Sequence, residues 1–209
     1  MLLVATLLSM VASANAQEAG LYDAPPPEGT SYVRFLNRSK LQEPVVKLSG
    51  TAYSLGSKVL TDYSYIKEGS YDADFNTKML PLALVAGKFY TVVVGDESPN
   101  AKPIAMVEDK VISDTTHAGL YFYNYTDQPL DLVANVNGKS GAVFKGIASA
   151  SVEFKEVKPF EVAFDVQAGG KTVGSVSQIT FPRGSGISIV VTKSDSGIIV
   201  DAINNTVSK

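Results

Sequence analysis

The chain has 209 residues, with 18 Lys and Arg against 21 Asp and Glu, one His, and neither Cys nor Trp. A formal charge of −3 without a long basic run argues against nucleic-acid binding, and the lack of Cys excludes disulfides, thiolate metal sites and thiol nucleophiles. One His excludes any site built on two imidazoles, while 45% apolar residues leave enough material for buried cores in one large domain or two of roughly 100 residues.

Residues 1–11 are almost wholly apolar, and Ala14-Asn15-Ala16 supplies the small-x-small pattern that signal peptidase accepts. An apolar run of about 12 residues is too short to span a bilayer. Residues 1–16 are therefore expected to be a signal peptide cleaved after Ala16, leaving a mature chain outside the cytoplasm that starts at Gln17. Residues 23–29 carry three prolines, which cannot donate to a central sheet, so they are expected to form an extended lead-in or a polyproline II arm.

Beyond the lead-in the pattern is period two, without long helical periodicity. Phe160, Val162, Phe164 and Val166 alternate with Glu161, Ala163 and Asp165, and Ile187, Ile189 and Val191 repeat the motif. Leu120 and Phe122 share one strand face, with Tyr121, Tyr123 and Tyr125 on the other. The run from Phe89 to Val94 reads as a strand covered on both faces. Turn residues at Glu68-Gly69-Ser70, Ala86-Gly87-Lys88, Asn137-Gly138, Gly169-Gly170, Arg183-Gly184 and Asp195-Ser196-Gly197 separate these segments. Many short strands with frequent turns predict an all-β protein of sandwich type.

The two halves resemble each other. Val33 to Ser39 matches Leu120 to Thr126 in pattern, and residues 84–94 match residues 181–191 with Gly87 falling on Gly184. The offset grows from 87 to 97 between these matches, so the second half carries about ten extra residues, for which the stretch 168–174 is the expected place. The chain is thus expected to form two tandem Ig-like β-sandwich domains, 17–112 and 113–209, joined near residues 109–116.

Few residues invite chemistry. Asp114-Thr115-Thr116-His117 has the D-x-x-H form that orients a general base in SGNH-type esterases, and Gly95-Asp96-Glu97-Ser98 loosely resembles a nucleophile block. In an all-β chain these short, closely spaced stretches lack the separate loops and oxyanion hole that such catalysis needs. The acidic pairs Asp72/Asp74, Asp96/Glu97 and Glu108/Asp109 read as solvated turn or strand residues, and no spacing suits a metal, so no cofactor is expected. The sequons at Asn37 and Asn124 fall at strand ends. Tyr121, Tyr123 and Tyr125 are the candidate binding residues, since an aromatic row can anchor a protein or stack on a sugar. The same row would equally serve to pack inside a sandwich or against the other domain. Tyr63 and Tyr65 would make a second such row.

Leu21-Tyr22, the segment Pro27-Glu28-Gly29-Thr30-Ser31-Tyr32-Val33-Arg34, the later Tyr90-Thr91-Val92 strand, the hairpin ending Met106-Val107-Glu108 and the strand around Asn124 together resemble the AlgF family of alginate biosynthesis proteins. The resemblance runs over nearly the whole mature chain. It implies a non-enzymatic periplasmic adaptor for O-acetylation of an exported polysaccharide, alginate or cellulose. The implied partners are SGNH-like O-acetyltransferases and the membrane-bound acetyl-transfer machinery. The family offers no catalytic motif to carry over. The competing readings are a secreted glycan-binding module, an adhesion-type domain, and an acetyltransferase using Asp114 and His117.

Overall fold

Alternating β-branched and aromatic residues leave each strand here with one face that must be covered, and two-residue turns bring neighbouring strands into register. The structure, a computed structural model, describes residues 26–95 and 104–208. The expected signal peptide, Leu21-Tyr22 and the Asp96-Glu97-Ser98 block lie outside the described residues. Sixteen strands occur among those described, with no helix. The first half contains β1 (Thr30–Asn37), β2 (Val45–Leu48), β3 (Thr51–Ser54), β4 (Ser64–Lys67), β5 (Gly69–Phe75), β6 (Lys78–Leu84), β7 (Phe89–Val94) and β8 (Ile104–Asp109). The second contains β9 (Ala118–Tyr125), β10 (Leu130–Val136), β11 (Lys139–Ile147), β12 (Ser151–Val157), β13 (Glu161–Ala168), β14 (Lys171–Thr180), β15 (Gly186–Ser194) and β16 (Gly197–Asn204).

Each half folds as two four-stranded sheets. In the first the orders are β4-β1-β7-β8 and β3-β2-β5-β6; in the second they are β12-β9-β15-β16 and β11-β10-β13-β14, the same topology shifted by eight strands. The central pairings, β1 with β7 and β9 with β15, are parallel; the others are antiparallel.

The duplication extends to single hydrogen bonds. Gly87 N–H donates to Thr30 O and Gly184 N–H to His117 O, both at 2.8 Å, with φ values of 75° and 68° that suit glycine. At the strand ends, Asn37 Oδ1 accepts from the Ser39 N–H and hydroxyl, and Asn124 Oδ1 accepts from those of Thr126. Both sequons are thus local strand-ending caps. The extra residues of the second half do not form a loop at 168–174. That stretch is a hairpin tip with a two-residue Gly169-Gly170 turn, and the added length lies in longer strands and in residues 158–160. β12, β13 and β14 have 7, 8 and 10 residues where β4, β5 and β6 have 4, 7 and 7.

Three apolar layers hold the four sheets. Val33, Phe35, Val46, Leu48, Ala73, Phe75, Leu82, Tyr90 and Val92 fill the first sandwich, and Leu120, Phe122, Leu132, Phe164, Val166, Phe181 and Ile189 fill the second. The third layer lies between the domains: Leu36, Leu60 and Val93 from the first meet Tyr121, Tyr123, Tyr125 and Val190 from the second. The domains therefore stack through the β4-β1-β7-β8 and β12-β9-β15-β16 sheets, and the other two sheets face outward.

All four outer-sheet hairpins use two-residue turns with positive φ at both positions: Ser49-Gly50, Asn76-Thr77, Asn137-Gly138 and Gly169-Gly170. Thr77 is the misfit, a β-branched residue at φ 66°. Thr77→Gly should raise the stability by about 1 kcal/mol, read as a higher urea midpoint with an unchanged slope; a lower midpoint would contradict this account of the turn.

Candidate functional site

The row Tyr121, Tyr123 and Tyr125 is brought together as the alternation requires, but its rings face the other domain and are only 6%, 0% and 5% exposed. A glycan or a separate protein has no access to a row in that position. The row instead forms one wall of the domain junction. Of the second pair, Tyr63 is buried in the same junction while Tyr65 is exposed.

At the centre of the junction is Arg34, 1% exposed, on the outward face of β1. Its Nε donates to Thr91 Oγ at 2.9 Å, one terminal nitrogen to Asn205 Oδ1 at 2.7 Å, and the other to the Tyr123 hydroxyl at 2.8 Å and Ser188 Oγ at 3.2 Å. The guanidinium also lies 4.3 Å from the centroid of the Tyr63 ring. Asp109, at the end of β8, is the counter-charge, 3.7 Å from Arg34 Nε. Its carboxylate accepts the hydroxyls of Tyr63 at 2.8 Å, Thr91 at 2.5 Å, and Tyr123. Thr91 and Tyr123 thus each accept from the cation and donate to the anion. Burial alone would lower the Arg34 pKa, but the neighbouring Tyr123, Tyr63 and Asp109 outweigh it and raise it.

The partners come from both domains. Arg34, Tyr63, Thr91 and Asp109 belong to the first; Tyr123, Ser188 and Asn205 belong to the second. Around this centre Tyr121 donates to Lys110 O at 2.5 Å, Arg38 sits 4.9 Å over the Tyr125 ring, and Lys40 pairs with Asp195 at 2.8 Å. The C-terminal residues close the other side. Tyr63 N–H donates to Thr206 O at 2.8 Å, Ser208 N–H to Tyr63 O at 2.7 Å, and the Thr206 hydroxyl to Asp62. Val207 therefore adds a short parallel bridge to Tyr63 of the first domain.

Sequence reasoning missed this cluster. The available signal was Arg34 itself: a charge between Val33 and Phe35 in a strand whose opposite face also had to be covered.

Asp114 and His117 lie in the connection between β8 and β9. His117 Nδ1 is 3.3 Å from Asp114 Oδ2, but that carboxylate already accepts the Thr116 N–H at 2.8 Å and hydroxyl at 2.6 Å. Those two bonds, with a smaller contribution from His117, hold the Asp114 pKa below the usual carboxylate value. The stretch is a local turn. Glu108 and Asp109 point to opposite sides of β8, Glu108 to an exposed pair with Lys88 at 2.6 Å and Asp109 into the junction. Among the described residues no three His, Asp or Glu side chains converge as a metal site would need.

Breaking the central pair from one side should be costly. Arg34→Ala leaves Asp109 buried without its cation and is expected to lose about 3–5 kcal/mol. In calorimetry the single unfolding transition expected of the wild type should split into two, one for each domain; one unshifted transition would refute the coupling. Alkali should act on the same layer. Burial pushes Tyr63, Tyr121, Tyr123 and Tyr125 up, Tyr121 and Tyr125 to about 12. Unfolded tyrosines ionise near pH 10. Above that the unfolded state binds fewer protons than the native one, so stability that is complete below pH ~10 falls as the pH rises toward 12. Phenolate absorbance from these four should rise together with loss of the β-sheet circular dichroism signal.

A family model described as "Alginate O-acetyl transferase AlgF" matches residues 4–188. The alginate biosynthesis protein AlgF of Pseudomonas putida is 28% identical over 193 residues, covering 92% of this chain and 86% of that protein. Its counterpart in Pseudomonas aeruginosa is 26% identical over 182 residues, covering 87% and 82%. A solved structure of the C-terminal domain of AlgF from P. aeruginosa matches 43% of this chain and 99% of its own length, at 22% identity and a TM-score of 0.38. With a family match of that extent, the chain belongs to the AlgF family.

Proposed function

We propose that this protein is a non-enzymatic periplasmic adaptor for alginate O-acetylation, which holds an acetyltransferase near its acetyl donor. Family membership supports the role in alginate acetylation. The observation that favours an adaptor over a catalyst is the use made of the buried polar groups. Arg34, Thr91, Asp109, Tyr123, Ser188 and Asn205 satisfy one another across the domain junction, which fixes the geometry of two outward sheets. A rigid two-domain block raises the effective concentration of whatever it holds, without lowering a chemical barrier itself. The Asp114–His117 pair favours the same reading, since its carboxylate is committed to its own turn. Export through a signal peptide cleaved after Ala16 completes the proposal.

A strain lacking the protein should still secrete alginate, with its acetyl esters lost. Secretion of fully acetylated polymer would sink the pathway role. The pure protein should not hydrolyse an acetyl ester, and His117→Ala should restore acetylation to the deletion strain as well as the wild type does. Ester turnover that this substitution abolishes would establish an enzyme instead. Mass spectrometry of the exported protein should find Gln17 at its N-terminus.

A further inference from the structure

The first domain carries an unusual outer strand. β6 is an edge strand, and after Lys78 its exposed positions are Met79, Pro81 and Ala83, with exposed Val85 directly following. These positions alternate, so they form one apolar row on the outward face, Met79 being 66% and Val85 53% exposed. The row does not continue into the sandwich core, because the alternate residues Leu82 and Leu84 fill that role. Single exposed apolar residues are ordinary, whereas a contiguous row is a mark of contact.

The duplicated domain supplies an internal control. β14 occupies the same position in the same topology, and its exposed residues are Lys171, Thr172, Ser175, Ser177, Gln178 and Thr180. The fold therefore tolerates an edge strand there whose exposed residues are all polar, and the apolar row of β6 is not a requirement of the sandwich.

The neighbouring strand indicates what would cover it. Directly beside the row on β5, Asp74 pairs with Met79, Asp72 with Pro81 and Ser70 with Ala83, and directly paired residues share a face. Between the two rows Ser70, Tyr71, Asp72, Pro81, Leu82 and Ala83 line a shallow concavity of about 240 Å³. The surface is thus an apolar strip edged by Asp72 and Asp74, with Lys47 of β2 beside Asp74 on the same face, so its net charge is negative. Its complement is a protein segment with an apolar ridge and flanking Lys or Arg; an anionic lipid surface would be repelled by Asp72 and Asp74.

We infer that this outer face of the first domain, the Met79-Pro81-Ala83-Val85 row with Asp72 and Asp74, is the docking surface for a basic, apolar-ridged protein segment. Resting on the adaptor reading, the segment belongs to the O-acetyltransferase. Docking there leaves the domain junction untouched, because the junction uses the opposite sheet of the same domain.

The test uses the full chain in alginate-producing cells that lack the native copy. A photo-crosslinking residue at position 79 should capture the O-acetyltransferase, and one at position 175, on the polar counterpart face, should not. Capture of only a second copy of this chain, or of no protein, overturns the proposal. So does binding to anionic phospholipid vesicles that requires the row. Purified full-length M79D/V85D should bind the purified transferase about tenfold more weakly than wild type, with an unchanged melting temperature. D72K/D74K should weaken binding in the same direction, and S175D/S177D should leave it unchanged. Undiminished binding and full acetylation by M79D/V85D, where the empty deletion strain makes unacetylated polymer, would refute this surface while leaving the adaptor role intact. Full acetylation in the deletion strain would remove the adaptor role itself.

Discussion

A cation and an anion taken wholly out of water are the constraint around which this molecule is arranged. Arg34 and Asp109 could not remain buried with a nitrogen or oxygen left without a partner, because a desolvated charge costs several kcal/mol unless it is paired and hydrogen-bonded. The partners are complete only when both domains are present. Tyr123 reaches Asp109 from across the junction, and Ser188 and Asn205 receive the guanidinium protons that the first domain has no acceptor for. The apolar residues of the third layer exclude water, while the polar centre specifies one relative placement of the two sheets.

The arrangement is a nearly symmetric frame with an asymmetric filling. Thr91 on β7 and Ser188 on β15 occupy equivalent positions and both meet the same guanidinium, as a pair of like subunits would present two like hydroxyls to a shared ligand. Arg34, however, stands where the second half has Tyr121, and Leu36 where it has Tyr123. The halves keep the pairing and turns of a common plan and differ at the residues that face each other. The outer sheets differ too, one ending in a strand whose outward row is apolar and the other in a strand whose exposed residues are polar. Duplication thus provides the fold, and divergence provides two faces that are not interchangeable.

Much of the fold was legible because period-two alternation and two-residue turns are local signals. The offsets of 87 and 97 between the halves recur in the Gly87 and Gly184 turn bonds, and the strand from Phe89 to Val94 buries both of its faces, as its apolar run predicts. The placement of the extra residues was misjudged because strands lengthen without any turn residue to mark the change. The site was harder to read. Alternation put Tyr121, Tyr123 and Tyr125 on one face, but whether such a face meets solvent or another sheet depends on a partner some 90 residues away in the chain. Arg34 and Asp109 are 75 positions apart and Asn205 is farther still, so no spacing rule joins them. They become neighbours only through the stacking of two sheets.

The bridge between Tyr63 and the residues around Val207 has a consequence for how the chain comes into being. Most of the first domain is available early in synthesis, but the backbone partners that Tyr63 finds in Thr206 and Ser208, and the acceptor that Arg34 finds in Asn205, follow only after all eight strands of the second domain. Until the second domain folds against it, the first must leave Arg34 and Tyr63 open to water. A chain stopped before Asn205 would keep both sandwiches, the apolar layer between them and the bonds of Tyr123 and Ser188 to Arg34, but would lose the Asn205 acceptor and the bridge to Tyr63.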